Sequence, residues 1–150
     1  MSTVDQYAVV GNPIAHSKSP EIHLLFGRQT KQRIGYERIE APIDGFEEKA
    51  LSLRDAGYRG LNVTVPFKLD AAKLANELTP RARLAGAVNT LKFDGDTILG
   101  DNTDGVGFVR DVTHRLKFAF DDCAVLVLGA GGAVRGLLGS LLEASPRWLA

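Results

Sequence analysis

The segment at 61–68, LNVTVPFK, most constrains the fold, because a strand pattern in it runs directly into a helix start. Side chains alternate between the two faces of a strand. We therefore expect Leu61, Val63 and Val65 on one face and Asn62 and Thr64 on the other. Mainly apolar, β-branched strands are typical of parallel sheets that helices cover on both faces. The segment thus predicts an α/β fold, a mainly parallel sheet in a three-layer domain.

The end of this segment predicts a helix that begins at Pro66, because proline is favoured at the first helical position. The expected apolar stripe of the helix is Phe67, Ala71, Leu74 and Leu78. Lys68 would then lie in the first turn, where the helix dipole favours acids over cations. Two interpretations stay open: a solvated surface lysine, or a functional lysine at the carboxyl end of a strand, where open α/β sheets bind ligands.

Strand and helix patterns also alternate before this segment, with strands expected at 7–10 and 36–41. Asp44 and Glu47 have the spacing of a capping box, so Asp44 is the expected N-cap of the second helix. This order predicts right-handed βαβ units. A hairpin is expected after the third helix, with its first strand at 87–93 and a turn at Asp94-Gly95.

Polar residues at two further places have two possible uses each. Ser19 is the expected N-cap of the first helix, with Ser17 as a second hydroxyl nearby. Hydroxyls and free backbone N–H groups at a helix start can also bind a carboxylate or phosphate. Asn89 falls inside the expected first hairpin strand, where it either bonds a partner or faces water.

A glycine-rich turn predicts a nucleotide site near the end of the chain. The apolar run at 123–128 leads into GAGGAVRG at 129–136 and then into a leucine-rich helix. Gly129 allows the tight turn, and Gly131 lets the backbone approach a pyrophosphate that the helix N–H groups hold. Val134 stands where the fingerprint has its final glycine. The segment at 147–150 is expected to begin the next strand, so the residues that distinguish NADP from NAD are expected beyond 150.

Composition excludes several classes of function. Lys plus Arg equals Asp plus Glu, 18 each, so we expect no nucleic-acid or anionic-membrane partner. There is no apolar run of bilayer length, and residues 1–6 lack the pattern of a signal peptide. The single cysteine predicts a reducing, cytoplasmic location. Asp101 and Asp104 are too few for a carboxylate cage, and the histidines lack metal-ligand spacing, so no metal is expected.

Five motifs in order resemble shikimate dehydrogenase over nearly the whole chain. They are GNPIAHSKSP at 11–20, NVTVPFK at 62–68, AGAVNT at 85–90, GDNTDG at 100–105 and GAGGA at 129–133. The resemblance implies NADP-dependent reversible reduction of 3-dehydroshikimate to shikimate in aromatic amino-acid biosynthesis, with NADP preferred over NAD. It implies a shikimate-binding domain at 1–103, a connecting helix at 104–120 and the start of a truncated Rossmann domain at 121–150. The implied partner is a small-molecule substrate, and the implied assembly is a monomer or homodimer.

The resemblance also implies roles for individual residues. Ser17 and Ser19 would hold the substrate carboxylate, and Lys68 with Asp104 would form the catalytic pair. The residues implied for the ring hydroxyls are Asn62, Thr64, Asn89 and Asp104. The residues implied for the cofactor are Gly129, Ala130, Gly131, Gly132 and Ala133. In the family, a glutamine from a C-terminal segment joins the substrate site, and that segment is not in this sequence.

Chemistry agrees with the Lys68 assignment, because a carbonyl that accepts hydride needs a proton from a group within hydrogen-bond reach. Three alternatives stay open. A quinate/shikimate dehydrogenase of the same family would share these residues. A non-catalytic module that binds a hydroxy acid would be expected to lack the Lys–Asp pair. A fragment of this length could bind substrate weakly without catalysis.

Overall fold

The computed structural model describes residues 4–150 and contains a six-stranded mixed sheet and a separate pair of short strands. Residues 1–3, part of the segment expected to lack a signal peptide, lie outside the described residues. The strands of the large sheet are β1 (Asp5–Gly11), β2 (Ile34–Glu40), β3 (Tyr58–Val63), β4 (Glu77–Leu78), β5 (Thr90–Asp94) and β6 (Thr97–Asp101). Their spatial order is β2-β1-β3-β5-β6-β4.

Helices connect most of these strands, as the alternating pattern predicts. They are α1 (Ser19–Gln29), α2 (Phe46–Asp55), α3 (Lys68–Leu74), α4 (Pro80–Ala85), α5 (Asp104–Arg110) and α6 (Gly132–Glu143). β1 pairs in parallel with both β2 and β3, whereas the hairpin strand β5 runs antiparallel to β3 and β6. The expected α/β class and the hairpin turn at Asp94-Gly95 are confirmed, and Gly95 adopts the positive φ of 59° that such turns favour.

Apolar side chains of the central strands and the adjoining helices form the core of the large sheet. Val10, Leu61 and Leu91 are at most 3% exposed, and the ring of Phe67 stacks on that of Phe46 at 5.1 Å between centroids. Burying a side chain of this size contributes about 1.5–3 kcal/mol. The core therefore holds β1, β3 and β5 firmly, and this fixes the positions of the loops at their ends.

The segment around Pro66 differs from its sequence-based prediction. β3 ends at Val63, and α3 begins only at Lys68, so Pro66 lies in a turn and not in the helix. Val65 is 64% exposed and does not share the buried face of Leu61 and Val63, because the chain has already left the strand. Leu78, expected on the helix stripe, belongs to β4.

The caps of two helices also differ from expectation. Ser19 is the first residue of α1, after Lys18 as N-cap, and the side chain that accepts its backbone N–H is Ser17 Oγ at 3.3 Å. Helix α2 begins after Gly45, and no side-chain hydrogen bond caps it, so Asp44 is not the N-cap. Likewise β5 begins at Thr90, which leaves Asn89 just before the strand and not inside it.

The last part of the chain forms a strand–loop–helix–strand unit. Helix α5 continues into a wide helical turn at Asp111–Arg115. Then β7 (Ala124–Val125) leads through the glycine loop to α6, and β8 (Trp148–Leu149) pairs with β7 in parallel. The expected strand start at 147–150 is confirmed, whereas the strand expected at 123–128 is paired as a strand only at Ala124–Val125.

No helix within the described residues 4–150 has both the length and the apolar character needed to cross a bilayer.

Candidate active site

The topology brings four loops to one edge of the large sheet. Because β1 and β3 are parallel, the segments that follow them leave at the same edge, where Asn12 N–H donates to Val65 O at 3.0 Å. β5 is antiparallel to β3, so the residue before it, Asn89, lies at this edge too. β6 then ends there, and Asn89 N–H donates to Asp101 O at 3.0 Å. Residues far apart in sequence thus meet at one place.

Lys68 and Asp104 are in direct contact at this edge. Lys68 Nζ donates to Asp104 Oδ2 at 2.6 Å, and their side chains are 14% and 27% exposed. Lys68 is the first residue of α3, and Asp104 is the first residue of α5. The interpretation of Lys68 as a solvated surface lysine is therefore wrong. An ammonium and a carboxylate this close can exchange a proton with a ligand oxygen that reaches either group.

Asn89 joins the same cluster through its side-chain amide. Asn89 Nδ2 donates to Asp104 Oδ1 at 2.8 Å and to Thr103 Oγ1 at 3.0 Å, while Asn89 Oδ1 accepts from Thr103 N–H at 3.1 Å. Both carboxylate oxygens of Asp104 are therefore engaged, one by Lys68 and one by Asn89. These bonds fix the orientation of the carboxylate, and they exclude the interpretation that Asn89 simply faces water.

Asn62 is held by Tyr36, a residue of strand β2. Tyr36 OH donates to Asn62 Oδ1 at 2.6 Å, and Asn62 Nδ2 donates to Thr90 Oγ1 at 3.3 Å. The ring of Tyr36 stacks on the imidazole of His23 at 4.3 Å. Burial raises the pKa of Tyr36 above its usual value, against a smaller opposite effect of a hydrogen bond with Ser19. The phenol therefore stays protonated and donates its proton to Asn62.

No local pattern at Tyr36 marks it as part of a site. It lies on β2 and Asn62 on β3, two strands that are separated by β1. A contact across an intervening strand becomes visible only once the order of the strands is known.

Ser17 and Ser19 lie together at the start of α1. Ser17 Oγ donates to Ser19 Oγ at 3.1 Å, and both residues are half-buried. The hydroxyl of Ser19 is left to donate to an anion. The backbone N–H groups there are engaged, since that of Ser17 donates to Ile14 O and that of Ser19 to Ser17 Oγ. Thr64 completes the expected set, half-buried directly after β3, with its N–H donating to Val10 O at 3.0 Å.

A cavity of about 500 Å³ opens between α1 and the face of the sheet. Its lining includes His23, Tyr36, Asn62, Thr90 and Thr103. This volume suits a small organic molecule. Of the predicted binding residues, Asn62 therefore lies on the wall of a space that a ligand can enter, beside the unpredicted Tyr36. The other predicted site residues do not line this cavity: Ser17, Ser19, Thr64, Lys68, Asn89 and Asp104.

The glycine loop approaches the Lys68 side of the cluster. A Cβ added at Gly132 would lie 3.1 Å from Lys68 Cβ, so the two segments are in close contact. Gly129 has a φ of 123°, which only glycine adopts readily, and a Cβ at Gly131 would meet open space. The N-cap Gly131 has no side chain that could accept from the first N–H groups of the 12-residue helix α6, so these groups can donate to a ligand. These features fit the phosphates of a dinucleotide.

Two further sequence-based expectations concern metals and the cysteine. Among the described residues, no group of three or more His, Cys, Asp or Glu side chains could hold a metal ion. Asp101 binds Arg81 and Thr79, with Nη2 of Arg81 at 2.5 Å from Oδ2 of Asp101, so it has a structural role. Cys123 is half-buried, and its thiol donates to Phe120 O at 3.0 Å.

Comparisons with known proteins identify relatives of this chain. The sequence model of a family described as "Shikimate dehydrogenase substrate binding domain" matches residues 9–91. The chain is 58% identical over 143 residues to the shikimate dehydrogenase (NADP(+)) of Methylobacillus flagellatus, and 59% identical over 142 residues to that of Nitrosospira multiformis. Each match covers 95% of this chain and 53% or 52% of the relative. The chain thus spans about half the length of the curated relatives it matches.

A solved structure has the same fold as this chain. It is the crystal structure of shikimate 5-dehydrogenase from Thermus thermophilus in complex with NADP(H) and shikimate, with a TM-score of 0.88 and 33% sequence identity. The match covers 97% of this chain and 55% of that chain. The similarity therefore extends from the large sheet through the strand–loop–helix–strand unit.

Proposed function

The chain belongs to the family of shikimate dehydrogenase substrate-binding domains, and from that premise we propose that it is the N-terminal part of an NADP-dependent shikimate dehydrogenase. The proposed reaction is the reversible reduction of 3-dehydroshikimate to shikimate. The observation that carries the proposal is the contact of Lys68 with Asp104 at 2.6 Å, beside the amide of Asn89 and the glycine loop. A module that only binds a hydroxy acid has no need of such a pair.

The proposed division of the chain separates the six-stranded sheet from the two-stranded pair β7–β8. Residues 1–103 form the substrate domain, 104–120 the connecting helix, and 121–150 the first strand, loop and helix of the nucleotide domain. The loop of the second unit contacts the first unit at Lys68, which supports a site between them. The proposed partner is a small hydroxy acid.

Each side chain has a role that matches its chemistry. Ser17 and Ser19 offer their hydroxyl groups to the substrate carboxylate. The residues proposed for the ring hydroxyls are Asn62, Thr64, Asn89 and Asp104. A carboxylate accepts hydrogen bonds from hydroxyls, and an amide can both donate and accept, so this set can fix the orientation of a polyhydroxylated ring.

Lys68 and Asp104 are the proposed catalytic pair. NADP(H) supplies the hydride chemistry when it is bound. Lys68 Nζ donates a proton to the substrate oxygen as negative charge develops there, and it takes the proton back in the reverse direction. Asp104 accepts a hydrogen bond from Lys68 and one from Asn89, and this keeps the ammonium pointed at the substrate. The proposed cofactor residues are Gly129, Ala130, Gly131, Gly132 and Ala133.

The test is an assay of the full-length protein that contains this chain. We expect shikimate to reduce NADP+ faster than NAD+, and the absorbance of the reduced nicotinamide measures both rates. Quinate in place of shikimate separates a strict shikimate dehydrogenase from a quinate/shikimate dehydrogenase. Failure to oxidise either acid with either nucleotide, by a folded protein, would refute the proposal.

A further inference from the structure

Arg38, on the edge strand β2, binds both Ser17, which precedes α1, and Glu21 in the first turn of α1. Arg38 Nε donates to Ser17 O at 2.6 Å. Arg38 Nη2 donates to the two carboxylate oxygens of Glu21 at 2.7 and 2.9 Å. Ser17 in turn accepts the N–H of Ser19 at 3.3 Å. A single guanidinium therefore holds the backbone of Ser17 and the side chain of Glu21 at the start of α1.

Fold stability gives little reason for this arrangement. The side chains of Arg38 and Glu21 are 31% and 54% exposed. Ion pairs with this exposure contribute little to the free energy of unfolding, because water screens the charges and two flexible side chains must be ordered. We therefore expect the ion pair of Arg38 and Glu21 to affect the electrostatics around Ser17 and Ser19 more than the stability of the fold.

Glu21 poses an electrostatic problem for an anion that binds there. A backbone hydrogen bond, and after it the hydrogen bond from Arg38, lower the pKa of Glu21, so its carboxylate is charged near neutral pH. Glu21 lies in the first turn of α1, two residues after Ser19, whose hydroxyl is proposed to bind the substrate carboxylate. Two carboxylates at one helix start repel each other unless a cation lies between or beside them.

We propose that Arg38 is a positioning residue for the carboxylate end of the substrate. Its hydrogen bond to Ser17 O holds the guanidinium at the helix start, where it neutralises Glu21 so that this place stays attractive to an anion. This inference rests on the proposed function, because it assigns the bound carboxylate to Ser17 and Ser19. Its effect is specific to substrate charge, which separates it from a general contribution to folding.

The experiment measures steady-state kinetics of the full-length protein with shikimate and with its uncharged methyl ester. For Arg38→Met we expect the KM for shikimate to rise about five- to tenfold, with kcat within about twofold of wild type, since the lost interaction acts on binding. The KM for the ester is expected to change less than about twofold. Adding Glu21→Gln to Arg38→Met is expected to lower the KM for shikimate most of the way back to the wild-type value, because it removes the repelling charge.

Controls separate this effect from damage to the fold. Arg54→Met removes an arginine of similar exposure, 27%, whose ion pair with Asp55 lies on α2, and its KM is expected to equal that of wild type. Glu21→Gln alone is expected to lower the KM or leave it unchanged. It supplies the decisive measurement if Arg38→Met does not fold, because a raised KM in this variant contradicts the proposal.

Three results would overturn the inference: an unchanged KM for shikimate in Arg38→Met, an equal rise for the acid and the ester, or no recovery in the double variant. A wild-type protein that oxidises no shikimate refutes the proposed function itself, and the inference with it. An active wild type with any of the three results refutes the inference alone.

Discussion

Lys68 and Asp104 are 36 positions apart in the chain, yet their charged atoms are in hydrogen-bond contact. Each occupies the first residue of a helix, and each helix follows a strand that ends at the same edge of the sheet. The carboxylate is oriented from a second direction by the amide of Asn89. A charged pair held on both sides in this way loses little entropy when a ligand binds, which favours a role in catalysis.

Replacing Lys68 tests this role directly. For Lys68→Ala in the full-length protein we expect kcat to fall about 10²–10⁴-fold with a much smaller change in KM, as for a group that transfers a proton in the transition state. Steady-state kinetics with shikimate measure both constants. Lys73→Ala is the matched control, because Lys73 lies on the same helix with 78% of its side chain exposed. An unchanged kcat in Lys68→Ala would remove Lys68 from the mechanism.

Sequence patterns predict which residues belong to this site better than they predict which of those residues contact each other. Lys68 is conspicuous because a cation at a helix start opposes the helix dipole. Tyr36 carries no such signal, since an aromatic residue on a strand is ordinary, and its bond to Asn62 depends on strand order. The pairing of Asn89 with Asp104 likewise depends on the antiparallel register of β5 and β6.

At the scale of elements, strand and helix identities follow from local patterns, but helix starts do not. Capping preferences point to Ser19 and Asp44, whereas α1 starts after Lys18 and α2 after Gly45. Neither helix has a side-chain hydrogen bond at its N-cap residue. In α2 the buried Phe46 and Ala50 stabilise the helix by packing instead. Helix α3 also starts later than expected. Its N-cap is Phe67, which is completely buried, so Pro66 lies before the helix in the preceding turn.

The crossing of α5 and α6 brings two helices unusually close, because small residues lie at the contact. A Cβ added at Gly105 would collide with Gly136 O and would lie 2.7 Å from Ser140 Oγ. Gly105 follows Asp104 directly, so the spacing of these helices also sets where the carboxylate lies. Close approach of backbones at such a crossing tolerates no additional side-chain atom.

We expect Gly105→Ala to lower the free energy of unfolding by about 1–3 kcal/mol, because the helices must move apart. Gly107→Ala, on the same helix, is the matched control, since a Cβ there meets nothing within 4 Å. Alanine at that position is expected to be neutral or to stabilise by up to about 1 kcal/mol through helix propensity. Urea unfolding followed by circular dichroism measures both variants, and equal behaviour of the two would contradict the packing argument.

Asp101 links α4 to the end of β6 and gives the fold a dependence on acid pH. Its carboxylate accepts hydrogen bonds from Arg81, from Thr79 Oγ1 at 2.7 Å and from Asn102 N–H at 2.8 Å. The hydrogen bond from Arg81 is the main cause of the lowered pKa of Asp101. A carboxyl whose pKa is lower in the folded state stabilises the fold above its unfolded pKa, about 3.9, and that stabilisation is lost as pH falls through the folded pKa.

Asp101→Asn is therefore expected to cost about 1–2 kcal/mol at pH 7, a value kept modest because the site is partly exposed. The difference in free energy of unfolding between wild type and variant is expected to shrink as the pH is lowered below about 4. Urea titrations at a series of pH values measure this difference. A difference that stays constant across the series would show that the charge of Asp101 contributes nothing.

At the scale of the whole molecule, the chain contains two regions of very different packing. The six-stranded sheet has an apolar core, in which Val10, Phe67 and Leu91 are at most 1% exposed. The pair β7–β8 has two residues in each strand, and the neighbouring Leu126 and Leu128 are 65% and 84% exposed. A two-stranded pair with so little buried apolar surface is marginally stable in water. The two regions are therefore expected to unfold at different denaturant concentrations.

Trp148, the single tryptophan of the chain, lies on β8 and reports on the weaker region. In a urea titration of the 150-residue chain, we expect Trp148 fluorescence to change at lower urea than far-ultraviolet circular dichroism, which reports on all helices and strands. Tyr58→Trp in a Trp148→Phe background moves the probe to β3, and its fluorescence is expected to follow the dichroism. Coincident transitions for both probes would mean that the glycine loop and α6 are held by the large sheet as one cooperative unit.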